Sequence, residues 1–145
     1  SIISQSSGIY SKSLTINAGK QEGLLEDQVV INERGLVGKV IGVSKNNSTI
    51  LLLTDQHISV PVKTLHGDFH AIIKGSPDGK FLISSFIKNN KFPKIGDLLI
   101  TSGNAHSFPK DILVAKVISV NQDSFFALPY VDFNNLEFVQ IIEKK

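Results

Sequence analysis

Ser102, in the run Thr101-Ser102-Gly103-Asn104, is the side chain of this sequence that most invites a chemical reading. A serine nucleophile needs a histidine within hydrogen-bond reach, an acid to orient that histidine, and N–H groups aimed at the developing oxyanion. The chain offers His57, His66, His70 and His106 as bases and Asp55 as the orienting acid. It lacks a glycine-flanked nucleophile of the Gly-Asp-Ser-Gly-Gly type, and a serine between threonine and glycine reads as an ordinary turn residue. No catalytic residue is assigned on this pattern.

Two other groupings have chemical content. His66 and His70 stand four apart with Asp68 between them, and the chain has no cysteine. Two imidazoles and one carboxylate fall short of a closed zinc site, so no metal and no cofactor are expected. Lys74, Lys80, Lys88, Lys91 and Lys94 accompany Phe81, Phe86 and Phe92, and Asp78 is the only acid between Lys74 and Lys94. Lysines that neutralise phosphates beside aromatics that stack on bases would suit a nucleic acid. Lysines guarding a sheet edge explain the same charges, and opposite parity at Phe81 and Phe86 sends at least one of them to the core.

The elements that must position these residues are strands. No window shows a clean apolar face at helical spacing, whereas short β-rich runs separated by Gly, Asn, Asp and Pro recur along the chain, about ten to twelve in all. The runs at 29–31 and 36–43 form a hairpin through Asn32-Glu33-Arg34-Gly35, and those at 69–74 and 81–86 form another through Ser76-Pro77-Asp78-Gly79. Pro61 inside the run at 58–62 marks an edge strand or a bulge. Gly96 and Asp97 make a turn before the run at 98–100, while Gly103 and Pro109 shape the loop before the run at 112–120. Gly35 and Gly38 are read as a turn and as a bulge or close approach. So many short strands hide their edges best in small closed barrels, and the fold class is all-β, two small barrels side by side.

With 145 residues, 41% hydrophobic and 19% charged, the chain is a folded domain or two very small ones sharing a core. A net charge of +2, balanced within each half, argues against a dedicated polyanion binder. No apolar run approaches the roughly 18 residues of a membrane helix. The absence of methionine leads us to expect a piece of a longer protein, with any membrane anchor upstream.

The landmarks are more informative in sequence. Gly35-Leu36-Val37-Gly38-Lys39-Val40 precedes Val43 and the run from Ser48 to Asp55. Ser59-Val60-Pro61-Val62 comes next, then Gly96-Asp97, Thr101-Ser102-Gly103, Phe108-Pro109, Val114 and Lys116-Val117. This ordered series resembles the extracytoplasmic β region of the MreC family of bacterial rod-shape-determining proteins, over nearly the whole chain. Asp111 and Ala115 stand where the family usually has glycine. Aspartate tolerates a left-handed backbone, whereas Ala115 implies an ordinary strand conformation or slightly relaxed backbone packing.

The resemblance implies two barrels of about six strands each. The first comprises residues 1–66 with a returning strand at 136–145, and the second is an inserted barrel at 67–135. It implies a non-enzymatic scaffold of the wall-elongation complex, without cofactor, in the periplasmic part of a single-pass inner-membrane protein. The implied partners are a class B penicillin-binding transpeptidase, MreD, RodA and, through the full-length protein, MreB. A homodimer and filaments are implied as well, and no nucleic acid. Phe92, Phe108, Tyr130 and Phe133, aromatics in polar or loop settings, are the candidate partner contacts, with plugs of the barrels as the competing reading of the same residues. An OB-like nucleic-acid-binding module and a serine-hydrolase-like double barrel stand as the alternatives.

Overall fold

The computed structural model describes residues 2–7, 12–104 and 108–142, with side chains from Lys12 onward. It contains twelve strands: β1 (Ile2–Ser7), β2 (Lys12–Ile16), β3 (Val29–Asn32), β4 (Gly35–Val43), β5 (Ser48–Leu52), β6 (Ser59–Thr64), β7 (His70–Gly75), β8 (Leu82–Ile87), β9 (Leu98–Thr101), β10 (Leu113–Val120), β11 (Phe125–Pro129) and β12 (Gln140–Ile142). Two short 3₁₀ turns, Lys20–Glu22 and Lys88–Asn90, lie among the described residues. One sheet has the order β1-β2-β5-β4-β3-β12, and β10-β11-β8-β7-β6-β9 closes into a barrel.

Local chemistry sets the hairpins. Between β3 and β4 the Asn32 side-chain oxygen accepts the N–H groups of Arg34 at 2.9 Å and Gly35 at 3.2 Å. Between β7 and β8, Asp78 accepts from the Ser76 hydroxyl and from the Lys80 N–H. These are the turn roles that asparagine and aspartate fill best. On β4 the register against β3 slips by one residue between Leu36 and Gly38, a bulge at Val37. A Cβ on Gly38 would stand 2.0 Å from the carbonyl oxygen of Leu51 on β5, so only glycine fits there.

Alternation produces the cores. In β7 and β11 the residues Ala71, Ile73, Phe125 and Ala127 point inward, and Phe125 meets Phe69 edge-to-face at 5.6 Å. Val29, Leu36 and Leu53 from the first sheet belong to the same apolar cluster as the barrel interior. A second cluster, around Leu14, Val37, Ile50 and Leu52, fills the other side of the first sheet.

Two expectations change here. The run at 58–62 falls inside the expected first unit, 1–66, but β6 pairs with β7 and with β9 in the barrel. The sheets therefore change over between β5 and β6, ahead of residue 66. Nor is β6 an edge, despite Pro61. The Pro61 carbonyl accepts Ser102 N–H beyond the last β9 residue, Thr101. Its ring nitrogen faces the same side, where the ladder has ended, and no strand bond is lost. At the far end of the chain, Gln140, Ile141 and Ile142 pair with Ile31, Val30 and Val29, which returns the C-terminal strand to the first sheet.

Candidate partner-binding surfaces

An acid–histidine pair does form. The Asp55 carboxylate, 3% exposed, lies 2.7 Å from His57 Nδ1 and accepts the N–H groups of His57 at 2.7 Å and Lys12 at 2.6 Å. Its acceptors are occupied in fastening the turn between the two sheets to β2. Ser102 is not its nucleophile: its hydroxyl accepts the Asn104 N–H at 3.3 Å, a turn bond. His106 lies outside the described residues. His66 and Asp68 are exposed, His70 is half-buried, and no group of three metal-ligating side chains forms among the described residues.

The predicted turn residues sit in turns or at close approaches. Gly35, Gly96 and Gly103 have φ of 147°, 96° and 80°. Asp97 accepts the Lys94 N–H at 2.8 Å, and the Pro109 carbonyl accepts the Thr101 hydroxyl at 2.6 Å. Asp111 has φ of 69°, the left-handed conformation its side chain tolerates, and Ala115 is a buried member of β10.

Of the aromatics, Phe108 is displaced from the candidate list. It is 4% exposed and packed in the barrel's apolar cluster, with Lys39 Nζ 4.8 Å above its ring. Phe92 is 37% exposed and lines a groove of about 510 Å³ with Phe86, Asn90 and Gln122. Neither Phe81 nor Phe86 is core: Phe81 is half-buried and Phe86 is 56% exposed.

Tyr130 and Phe133 share a larger cleft, of about 920 Å³, between the first sheet and the barrel. Lys12, Arg34 and Thr54 line it from the sheet side and Lys80, Phe81 and Lys116 from the barrel side. Lys12 crosses it, its Nζ donating to the Gly79 carbonyl at 2.8 Å. Phe133 packs against both apolar clusters.

An apolar strip on the outer wall of the barrel runs beside this cleft, and sequence reasoning missed it. Ile83 pairs with Phe126, Leu128 follows two residues along β11 on the same side, and Ile118 sits at a bulge of the neighbouring β10. Leu128 is 48% and Ile118 38% exposed. The usable signal was Lys116 and Lys74, which mark the solvent side of their strands.

The MreC model described as the barrel core of rod shape-determining protein matches residues 2–143. The cell shape-determining protein MreC of Haemophilus influenzae is 36% identical over 129 residues, covering 88% of this chain and 37% of that protein. The chain thus spans little more than a third of that relative's length. The crystal structure of MreC from Pseudomonas aeruginosa superposes with a TM-score of 0.91 at 28% identity, covering 98% of this chain and 96% of that one. The major periplasmic domain of the cell shape-determining filament MreC gives 0.81 at 25%, covering 99% and 95%. A structure of the complex between penicillin-binding protein PBP2 and MreC from Helicobacter pylori shares the fold, with a TM-score of 0.59 at 18% identity, covering 84% and 76%.

Proposed function

The chain belongs to the MreC family of rod shape-determining proteins, and we propose that it is a non-enzymatic docking scaffold that holds peptidoglycan synthases in place outside the cytoplasmic membrane. The observation that carries this reading is the outer barrel strip in which Leu128 and Ile118 are exposed and Ile83 and Phe126 half-buried, with the exposed Phe86 further along β8. Contiguous exposed apolar side chains on a folded domain mark an interaction surface. The first partner in this reading is a class B penicillin-binding transpeptidase, in line with the complex formed by the Helicobacter pylori relative. MreD, RodA and MreB would be reached through other parts of the full-length protein, and a periplasmic position on a single-pass anchor belongs to the same reading. No described helix is long and apolar enough to cross a membrane. Head-to-tail self-association into a dimer or filament would use the outer sides of β1 and β12, the end strands of the first sheet.

The test replaces Ile118 and Phe86 by serine, singly and together, and measures binding of the purified transpeptidase ectodomain by interferometry. Both side chains are exposed, so the fold should persist, which thermal unfolding checks. The double variant is expected to lose at least about tenfold in affinity, or about 1.4 kcal/mol. Unchanged binding in a folded double variant would remove this wall from the interface.

A further inference from the structure

We propose that the cleft between the first sheet and the barrel binds an extended acidic peptide segment of a partner protein. The inference rests on the docking reading above but not on which synthase is held; of the outer strip only Leu128 also lines the cleft.

Charge is the first argument. Arg34, Lys80 and Lys116 line the cleft, and among the described residues the ion pairs are His57–Asp55 and Lys63–Asp111, so none of the three cations is paired within 4 Å. Lys12 spends its ammonium on a neutral carbonyl and keeps its charge. Two carboxylates also line the wall: Asp78 feels the charges of Lys80 and Lys12, and Asp132 that of Arg34, while the strongest contacts of both are hydrogen bonds within their own loops. Asp78 takes the Ser76 hydroxyl and the Lys80 N–H. Asp132 takes the Asn134 N–H at 3.0 Å and Asn135 Nδ2 at 2.7 Å. Four cations against two carboxylates leave the cleft with a surplus of positive charge, which the carboxylates of a ligand fit.

The floor supplies the second argument. Thr54 is 3% exposed, lines the cleft, and its Oγ1 has no hydrogen-bond partner. Gly75 fixes it there, since a Cβ at that position would stand 2.1 Å from the Thr54 carbonyl oxygen. Turned outward into the cleft, that hydroxyl could take a main-chain N–H or C=O of a bound segment.

Shape and apolar content select the class of ligand. A cleft of about 920 Å³ is too long for one carboxylate. Its Phe81, Tyr130 and Phe133 rings give an apolar wall between the cations. A segment alternating acidic and apolar side chains satisfies both, because successive side chains of an extended chain point to opposite sides.

The experiment titrates the ¹⁵N-labelled 145-residue chain with a short capped peptide alternating glutamate and leucine, with its lysine–leucine counterpart, and with a hyaluronan oligosaccharide. The acidic peptide should shift the amide signals of Arg34, Thr54, Lys116 and Tyr130, and weaken as salt is raised. Arg34→Glu with Lys116→Glu, both exposed positions, should weaken it at least about tenfold in a chain with unchanged melting temperature. Equal binding of the lysine peptide, shifts confined to other surfaces, or tighter binding of the oligosaccharide would each overturn the proposal. Peptide binding that survives Ile118→Ser with Phe86→Ser, while transpeptidase binding is lost, supports the cleft as a separate site. Failure of the peptide arm with the transpeptidase arm intact sinks the cleft and leaves the scaffold reading standing.

Discussion

A Cβ built on Gly35 would stand 2.2 Å from the main-chain oxygen of Leu113. The β3–β4 hairpin of the first sheet is thus pressed directly against the backbone of barrel strand β10. Gly75 does the same from the other direction, against the carbonyl of Thr54. Two glycine contacts of backbone on backbone, one at each side of the junction, explain how a six-stranded sheet and a barrel share one apolar cluster. Side chains at these points would wedge them apart.

Gly35→Ala should therefore cost more than backbone strain alone. The position has φ of 147°, so alanine is strained there whatever the space, by about 1–3 kcal/mol. The clash with Leu113 adds to that, and the backbone oxygen cannot rotate away. Gly23→Ala is the control, since its φ of 85° is also left-handed but nothing lies within 4 Å of its Cβ. In urea unfolding, the Gly35 variant is expected to lose clearly more stability than the Gly23 variant. Equal losses would show that the contact with Leu113 yields freely.

Asp78 and Asp132 set an acid limit on two of the loops at the cleft. The Ser76 hydroxyl, followed by the Lys80 N–H, holds the Asp78 carboxyl below its ordinary value. The Asn135 amide, followed by the Asn134 N–H, does the same for Asp132. A folded-state pKa below the unfolded one means stability that is present above the unfolded value, near 3.8, and lost as pH falls through the folded value. Asp78→Ala should be less stable than wild type at neutral pH, and the gap should narrow as pH drops below about 4. Because hydrogen bonds lead over Coulombic attraction, added salt should leave that gap nearly unchanged. Melting temperatures across pH 2–7 (about that range, to span the carboxylates) provide the check, and a gap that widens toward acid contradicts the assignment.

Phe108 shows where a sequence misleads. It follows a polar loop and precedes a proline, which is the setting of an exposed aromatic, yet it plugs the barrel beneath Lys39 of β4. Phe108→Ala should cost about 3–5 kcal/mol, as expected of an emptied aromatic site. Lys39→Met should cost no more than about 1 kcal/mol. A folded, fully stable Phe108→Ala chain would return the residue to the surface list.

How much could be read beforehand follows from the range of the forces involved. Turns depend on a few neighbouring residues, so Asn32 to Gly35, Ser76 to Gly79 and Gly96-Asp97 were legible. Asp111 was too, its left-handed backbone being a property of the residue itself. Sheet membership is a long-range matter. Nothing local in Ser59–Thr64 says that it pairs with β9, over thirty residues on, rather than joining β5. The cleft was illegible for the same reason, because Lys12, Arg34, Lys80 and Lys116 meet only once both sheets exist.

Thr101 carries the last prediction, because it ties the loop after β9 to the start of β10. It is fully buried, its hydroxyl donates to the Pro109 carbonyl at 2.6 Å, and it accepts the Ile112 N–H at 2.9 Å. Its own backbone exchanges bonds with Ile112 and Asp111. Thr101→Val keeps the shape but strips Ile112 N–H of its acceptor, at a cost of about 1–3 kcal/mol. Thr101→Ser keeps the hydroxyl and loses one methyl, about 0.8 kcal/mol. The valine variant should therefore unfold at lower urea than the serine variant, with faster amide exchange at Ile112. The reverse order would mean that packing, not the hydroxyl, holds this loop against the barrel.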